Sequence, residues 1–171
     1  RALTVAERRS VQEYLARRWS IAITPSAPTG VTALAADRGA SVSWTAPAWN
    51  GGSAITGYRV TTQPGGATCT AAASATTCTI TGLTNGTAYR FVVSALSAVG
   101  TGDPSAASPD TTPGPPPPPT GPTAVAADSG AVVSWTAPVL TGHAPLISST
   151  VTATAAGQAP VTCTASAPAT T

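Results

Sequence analysis

The first residues carry apolar side chains at a helical spacing. These side chains recur three or four residues apart and form one stripe: Val11, Tyr14, Leu15 and Trp19. Residues 4–7 have capping-box spacing, so the pattern predicts a helix over residues 5–19. Because so short a helix is marginally stable alone, its stripe is expected to pack on an upstream domain or on the next part of the chain. A membrane-surface helix and a nucleic-acid contact are the alternatives, and Glu7 and Glu13 disfavour the first.

From Pro25 onward the apolar period changes from about four residues to two. Val42 and Trp44 alternate with small polar residues, and the same alternation is longest over residues 89–95. Turn-forming sequences rich in Gly, Pro and Asn separate these stretches. The pattern predicts seven short antiparallel strands, the last near residues 105–111, in an all-β, immunoglobulin-like sandwich of two sheets.

The chain repeats itself at an offset of 91 residues. Residues 28–37 return as residues 119–128, and residues 42–47 return as residues 133–138. The offset has the size of one small domain. The second copy matches only through its first strands. We therefore expect one complete domain followed by a partial second sandwich.

The repeat and the composition predict four segments. The helix occupies residues 1–24 and is expected to end an upstream domain, the complete sandwich covers 25–113, and the incomplete one covers 119–171. Between them lie residues 114–118, where consecutive prolines favour a stiff polyproline II spacer. Docking of this run into an aromatic groove of another protein is the alternative.

Several residues of the first domain together resemble the fibronectin type III family: Pro28, Trp44, Tyr58, Leu83, Asn85-Gly86-Thr87, Tyr89 and Gly100. The resemblance covers residues 25–113 and implies that Trp44 is buried between two sheets. It also implies a corner in which the Tyr89 hydroxyl bonds to the backbone near Leu83. Asn85 also begins an N-glycosylation motif, but the corner accounts for the same residues. The expected core is Trp44, Tyr58, Val60, Leu83, Tyr89, Phe91 and Trp135.

Two of the three cysteines are placed to form a disulfide. Cys69 and Cys78 flank a short loop between two predicted strands, and we expect them to be hairpin partners joined by a bond. The surroundings of Cys69 recur around Cys163, so we expect a further cysteine nine positions after Cys163, immediately beyond Thr171. Paired cysteines favour an extracellular location, and two cysteines without neighbouring ligands disfavour a zinc site.

The composition restricts the chemistry that the chain can perform. It contains no lysine, one histidine and six carboxylates, and charged residues make up only 8% of it. His143 lies in a predicted turn, and the aspartates lie in loops or at strand ends. We therefore expect no catalytic, metal or cofactor site and no enzymatic activity. The domains lack the basic face that nucleic-acid binding requires, and no apolar run is long enough to span a membrane.

Trp49 is the one residue that the sequence singles out for binding. It precedes a turn at residues 50–52, and an exposed tryptophan there could contact a glycan or a protein. Packing against the sandwich end or the helix is the alternative.

The expected function is a non-catalytic extracellular segment that spaces, presents or adheres. The helix resembles the tail that follows lectin-like jelly-roll domains of bacterial and phage surface proteins, which implies a surface or virion appendage such as a phage tail or fibre. An accessory stalk of a secreted polysaccharide-degrading enzyme, or a carbohydrate-binding module acting through Trp49, is the alternative. Expected partners are a protein or glycan on a cell surface or within an assembly, and an upstream domain packed on the helix.

Overall fold

A computed structural model describes residues 2–140 and 145–167 of the chain. The chain divides into two units, Arg1–Gly114 and Pro115–Thr171. The predicted turn that contains His143 lies outside the described residues.

The first unit is one helix followed by a two-sheet antiparallel sandwich, as predicted. The elements are α1 (Val5–Trp19), β1 (Thr29–Ala36), β2 (Gly39–Thr45), β3 (Ile55–Gln63), β4 (Thr68–Ala72), β5 (Thr77–Thr81), β6 (Arg90–Ser97) and β7 (Gly100–Thr101). One sheet has the strand order β1-β2-β5 and the other β4-β3-β6-β7.

The core of the first unit lies between these two sheets. Trp44 on β2 and Tyr58 on β3 are in tilted contact, with ring centroids 5.2 Å apart. Alternate residues of β6 point inward and are fully buried, as the period of two requires. The buried residues include six of the expected core positions: Trp44, Tyr58, Val60, Leu83, Tyr89 and Phe91.

The corner before β6 is held by side-chain hydrogen bonds to the backbone. The Thr84 N–H donates to the Tyr89 hydroxyl oxygen at 3.2 Å, one residue from Leu83. The Asn85 carbonyl oxygen accepts from the Arg38 N–H at 2.7 Å, and its amide nitrogen donates to the Asp37 carboxylate at 2.6 Å. The Asn85 amide therefore ties the corner to the turn between β1 and β2.

The prediction of a last regular strand near residues 105–111 was wrong. The seventh strand is the two-residue β7. Residues 105–111, which follow it, hydrogen-bond to β6 and to the preceding Tyr89 at every third residue. Backbone N–H groups in this segment donate to the carbonyls of Val93, Phe91 and Tyr89. A period of three is that of polyproline II rather than of a strand, and the prolines at positions 104 and 109 favour it. The donors are Ser105, Ser108 and Thr111.

Cys69 and Cys78 form a disulfide, with Cα atoms 6.4 Å apart, but they are not hairpin partners. Cys69 lies on β4, which pairs with β3, whereas Cys78 lies on β5, which pairs with β2. The chain crosses from one sheet to the other between these strands, so the bond joins the two sheets at their edges.

The second unit repeats the first four strands in two antiparallel pairs. Its elements are β8 (Thr120–Ala127), β9 (Gly130–Thr136), β10 (Ser148–Ala153) and β11 (Val161–Ser166). The register is conserved, because Thr123 lies opposite Ser134 as Thr32 lies opposite Ser43. Hydroxyl–hydroxyl hydrogen bonds of 2.8 and 2.9 Å join these two pairs. This is a partial second sandwich.

Trp135 was expected in a core, but the structure leaves it half-buried. Its counterpart Trp44 is 4% exposed. The difference arises because the part of the second unit that the structure describes has no strand corresponding to β6, which covers Trp44 in the first. Cys163 is exposed and carries no disulfide.

We predict that Trp44→Ala destabilises the first unit by about 3–5 kcal/mol, since it leaves a large cavity in a closed core. Trp135→Ala is the matched control and should not change the first unit's stability. Denaturation followed through the methyl NMR signals of Val93 measures both. Equal shifts of the Val93 midpoint by the two variants would contradict this account of the core.

Tyr58 should make the first unit less stable at alkaline pH. Burial raises the pKa of Tyr58 above its ordinary value of 10.0. Its contribution to stability is therefore complete below the pKa of the unfolded chain, near pH 10, and is lost as pH rises toward the folded-state pKa. Tyr58→Phe, which has no ionisable hydroxyl, should lose less stability between pH 9 and pH 11 in denaturant titrations. An identical loss in both proteins would refute this assignment.

Candidate functional site

Helix α1 begins at a complete capping box. The Glu7 N–H donates to the Thr4 hydroxyl at 3.2 Å, and the Thr4 N–H donates to the Glu7 carboxylate at 2.7 Å. These hydrogen bonds, first of all that from the Thr4 backbone, lower the pKa of Glu7. The helix ends at Ser20, whose left-handed conformation turns the chain toward the sandwich. Local sequence therefore defines both helix ends.

Arg9 joins the helix to the sandwich through hydrogen bonds and an ion pair. The Arg9 guanidinium donates to the Thr24 carbonyl at 2.7 Å and to its hydroxyl at 3.3 Å. It also pairs with Glu13 on the helix at 3.0 Å and with Asp103 after β7 at 3.3 Å. The Arg9 side chain is only 17% exposed, so these charge-assisted bonds are partly shielded from water. Sequence reasoning did not single out Arg9.

The segment after the helix is held against the loop that contains Trp49. The Ile23 N–H donates to the Gly51 carbonyl at 2.7 Å, and the Ser26 N–H donates to the Trp49 carbonyl at 3.0 Å. Gly51 has a φ of +77°, and a Cβ there would collide with the Ile23 carbonyl oxygen. The close approach of the two backbones therefore requires glycine.

Trp49, the expected ligand contact, packs against the helix. The Arg17 guanidinium carbon lies 4.9 Å from the ring centroid of Trp49, a cation–π contact. The tryptophan is half-buried, and one face of its ring is occupied from within the chain. The structure therefore shows the alternative that the sequence left open for this residue.

The apolar stripe of α1 faces away from these contacts. Trp19 is 66% exposed and Tyr14 is 67% exposed, while Val11 and Leu15 are also exposed. The buried helix residue is Ala16, which lies on the same side as Arg9. The stripe was expected to pack on an upstream domain or on the next part of the chain. The sandwich, which is that next part, does not cover it.

Further apolar and cationic side chains lie next to the exposed stripe of α1. A cleft of about 430 Å³ beside the stripe is lined by Leu15, Ile21 and Val99, among others. Arg8 and Arg18 are exposed, and each lies three residues from a member of the stripe. Within the described ranges, neither arginine side chain makes an ion pair or a hydrogen bond. We call the stripe with Arg8 and Arg18 the α1 surface.

The α1 surface offers apolar area and positive charge but no nucleophile–base pair. No group of three His, Cys, Asp or Glu residues that could hold a metal occurs in residues 2–140 and 145–167. The described helix is also too short and too polar to cross a membrane. The arrangement is suited to docking rather than to a reaction.

The comparison with protein families agrees with this architecture. The model of the fibronectin type III domain matches residues 26–111. The chain belongs to the fibronectin type III family. Domains of this family are typically non-catalytic, including those found within enzymes.

Two curated proteins share parts of this fibronectin type III chain. Endoglucanase B of Cellulomonas fimi is 42% identical over 81 residues, which cover 46% of this chain and 8% of that protein. Human Myomesin-2 is 31% identical over 146 residues, which cover 71% of this chain and 9% of that protein. The chain therefore spans less than a tenth of the length of these relatives.

Solved structures of titin and twitchin are also similar. Domains A168–A170 of titin are 32% identical with a TM-score of 0.48, covering 53% of this chain and 32% of that one. The twitchin kinase region of C. elegans is 26% identical with a TM-score of 0.48, covering 53% and 17%.

We predict that Arg9→Ala releases α1 from the sandwich, because no other side chain of the described helix contacts both Thr24 and Asp103. Hydrogen exchange of the α1 amides should accelerate at least tenfold. Arg8→Ala removes an equal side chain from the exposed side and should leave exchange nearly unchanged. Equal acceleration in both variants would show that Arg9 is not the attachment.

Proposed function

We propose that this chain is a non-catalytic extracellular spacer that presents a partner domain docked on the α1 surface. The observation that carries the proposal is the exposed stripe on a helix whose other side is fixed to a closed sandwich. A helix that exposes its apolar residues and is held by polar contacts leaves that apolar area available to another surface.

The structure of the first unit supports a spacing role. Its core is closed, and its two sheets are joined by the Cys69–Cys78 disulfide. The proline-rich residues 115–119 follow it and favour an extended conformation. The disulfide also favours an oxidising, extracellular compartment.

The partner on the α1 surface is best matched by an apolar patch bordered by carboxylates. Antiparallel pairing of two copies through Val11 and Leu15 would bring Arg8 of one copy beside Arg18 of the other. Like charges so close oppose such pairing, whereas carboxylates would neutralise both arginines. A lectin-like jelly-roll domain is the partner type implied by the resemblance of the helix.

Two settings fit a spacer of this kind. The similarity to Endoglucanase B favours an accessory stalk in a bacterial polysaccharide-degrading enzyme. The tandem repetition of units joined by prolines favours an appendage of a bacterial surface or phage virion, since it extends a chain outward. The complete reading frame distinguishes them: a catalytic domain in the same gene supports the stalk, and adjacent tail or capsid genes support the appendage.

The α1 surface should bind an anionic apolar probe. We predict that 1-anilinonaphthalene-8-sulfonate shifts the NMR signals of α1, because it combines aromatic area with negative charge. Leu15→Asp should reduce the affinity at α1 at least fivefold, since it places a carboxylate in the stripe. Ala6→Asp, nine helix positions before Leu15 and therefore on the opposite side of the helix, should change it less than twofold. Equal effects of the two substitutions would argue against docking at this surface.

A further inference from the structure

The chain contains two asparagines, Asn50 and Asn85, and each is followed by a glycine. In such a pair the backbone nitrogen of the glycine can attack the side-chain carbonyl carbon of the asparagine. Glycine favours this approach because it carries no side chain that would hinder it. The two sites share this chemistry but differ in their hydrogen bonds, which therefore decide where the reaction occurs in the folded chain.

The groups that would react at Asn85 are held by hydrogen bonds. Its side-chain oxygen accepts from the Arg38 N–H at 2.7 Å, and its amide nitrogen donates to the Asp37 carboxylate at 2.6 Å. The Gly86 N–H, whose nitrogen would attack, donates to the Pro113 carbonyl at 2.9 Å. Reaction at this site would have to break these bonds.

The hydrogen bond that the Asn50 side chain makes favours the reaction instead. Asn50 is exposed, and its side-chain oxygen accepts from the Gly52 N–H at 3.0 Å. Negative charge develops on this oxygen when a nitrogen attacks the carbonyl carbon, and a fixed N–H donor stabilises such charge. Among the residues that the structure describes, neither the Asn50 amide nitrogen nor the Gly51 N–H donates a hydrogen bond. The leaving group and the nucleophile are therefore both available.

We propose that Asn50 is a site of spontaneous isoaspartate formation, and that this modification loosens α1 from the sandwich. The Gly51 nitrogen loses its proton to solvent and bonds to the side-chain carbonyl carbon of Asn50. The bond from that carbon to the amide nitrogen breaks, and this nitrogen takes up a proton and leaves as ammonia. Water then opens the succinimide ring. Opening at the side-chain carbonyl gives aspartate, and opening at the main-chain carbonyl gives isoaspartate, in which the main chain runs through the former side chain.

Isoaspartate at position 50 changes the loop that holds the segment after the helix. The carbonyls of Trp49 and Gly51, on either side of this position, accept from the Ser26 and Ile23 N–H groups at 3.0 and 2.7 Å. Isoaspartate adds one carbon to the main chain between these two carbonyls, so they no longer match the spacing of their donors. The two backbones already approach closely at Gly51, which leaves no space to absorb the added carbon. Aspartate leaves the main chain unchanged.

The same segment and loop carry contacts of the helix. Thr24 in the segment accepts hydrogen bonds from Arg9, and the Trp49 ring contacts the Arg17 guanidinium. Displacement of the segment from the loop therefore weakens the attachment of α1 to the sandwich.

The first test compares the two asparagines within one folded chain. The 171-residue protein is incubated at mildly alkaline pH, which promotes loss of the backbone proton, and is then digested with trypsin. Cleavage after Arg38, Arg59 and Arg90 places Asn50 and Asn85 in different peptides, so chromatography with mass spectrometry follows each site. We expect isoaspartate to form at Asn50 at least fivefold faster than at Asn85. In urea with the disulfide reduced, the two rates should agree within twofold. Equal rates in the folded chain, or faster reaction at Asn85, would overturn the proposal.

The second test measures the effect of the modification on the helix. The isoaspartate form, separated by chromatography, should exchange its α1 amide hydrogens at least fivefold faster than the unmodified chain. Asn50→Asp carries the same charge on an unchanged main chain, so it is the matched control and should stay within twofold. Exchange in β6 shows whether the sandwich remains folded. Unchanged α1 exchange in the isoaspartate form, or equal acceleration in the control or in β6, would contradict the proposed loosening.

Discussion

Strand β6 determines whether this sandwich has a closed core. In the first unit it pairs with β3 and buries Phe91 and Val93 against Trp44 and Tyr58, which removes a large apolar area from water. The second unit has the same tryptophan and the same register in its first strands, yet Trp135 remains half-buried. In the described part of the second unit β10 pairs with β11 alone, so no side chains like those of β6 lie over Trp135 there.

Helix α1 combines a polar attachment with an apolar exposed side. Amphipathic helices usually bury their apolar stripe and expose their charges. Here Arg9 points inward to Thr24 and Asp103, while Trp19 points outward. This arrangement gains little from hydrophobic burial on the first unit, so the helix position depends on a few charge-assisted bonds. The exposed stripe adds nothing to this attachment, which is why we propose that it docks a partner.

Most of the fold could be predicted from the sequence. The spacing of apolar residues is a local property, and the 91-residue repeat can be recognised by direct comparison of the two copies. The alternation around Trp44 and along residues 89–95 identified strands, and the capping box at Thr4 identified the helix start. The disulfide pair was also predicted, but its place was not. The nine-residue separation of Cys69 and Cys78 shows that the two can be bonded. It does not show whether their strands belong to the same sheet or to different sheets. The segment after β7 was predicted as a strand, but its bonds to β6 recur every third residue, at Ser105 and Ser108, because the prolines at positions 104 and 109 favour polyproline II.

The site was less predictable because its contacts join residues that are distant along the chain. Trp49 is followed by a turn, which indicated an exposed loop, and only the folded helix places Arg17 over its ring. The sequence contained one weak indication that Arg9 faces the sandwich. Arg9 lies on the same side of the helix as Glu13 and Ala16, and not on the side of the stripe. That side carries the small residue Ala16, which permits close approach of the helix to the segment after it. In this helix the small and charged residues therefore mark the attached side, and the apolar stripe lies on the other, exposed side, where we propose that a partner docks.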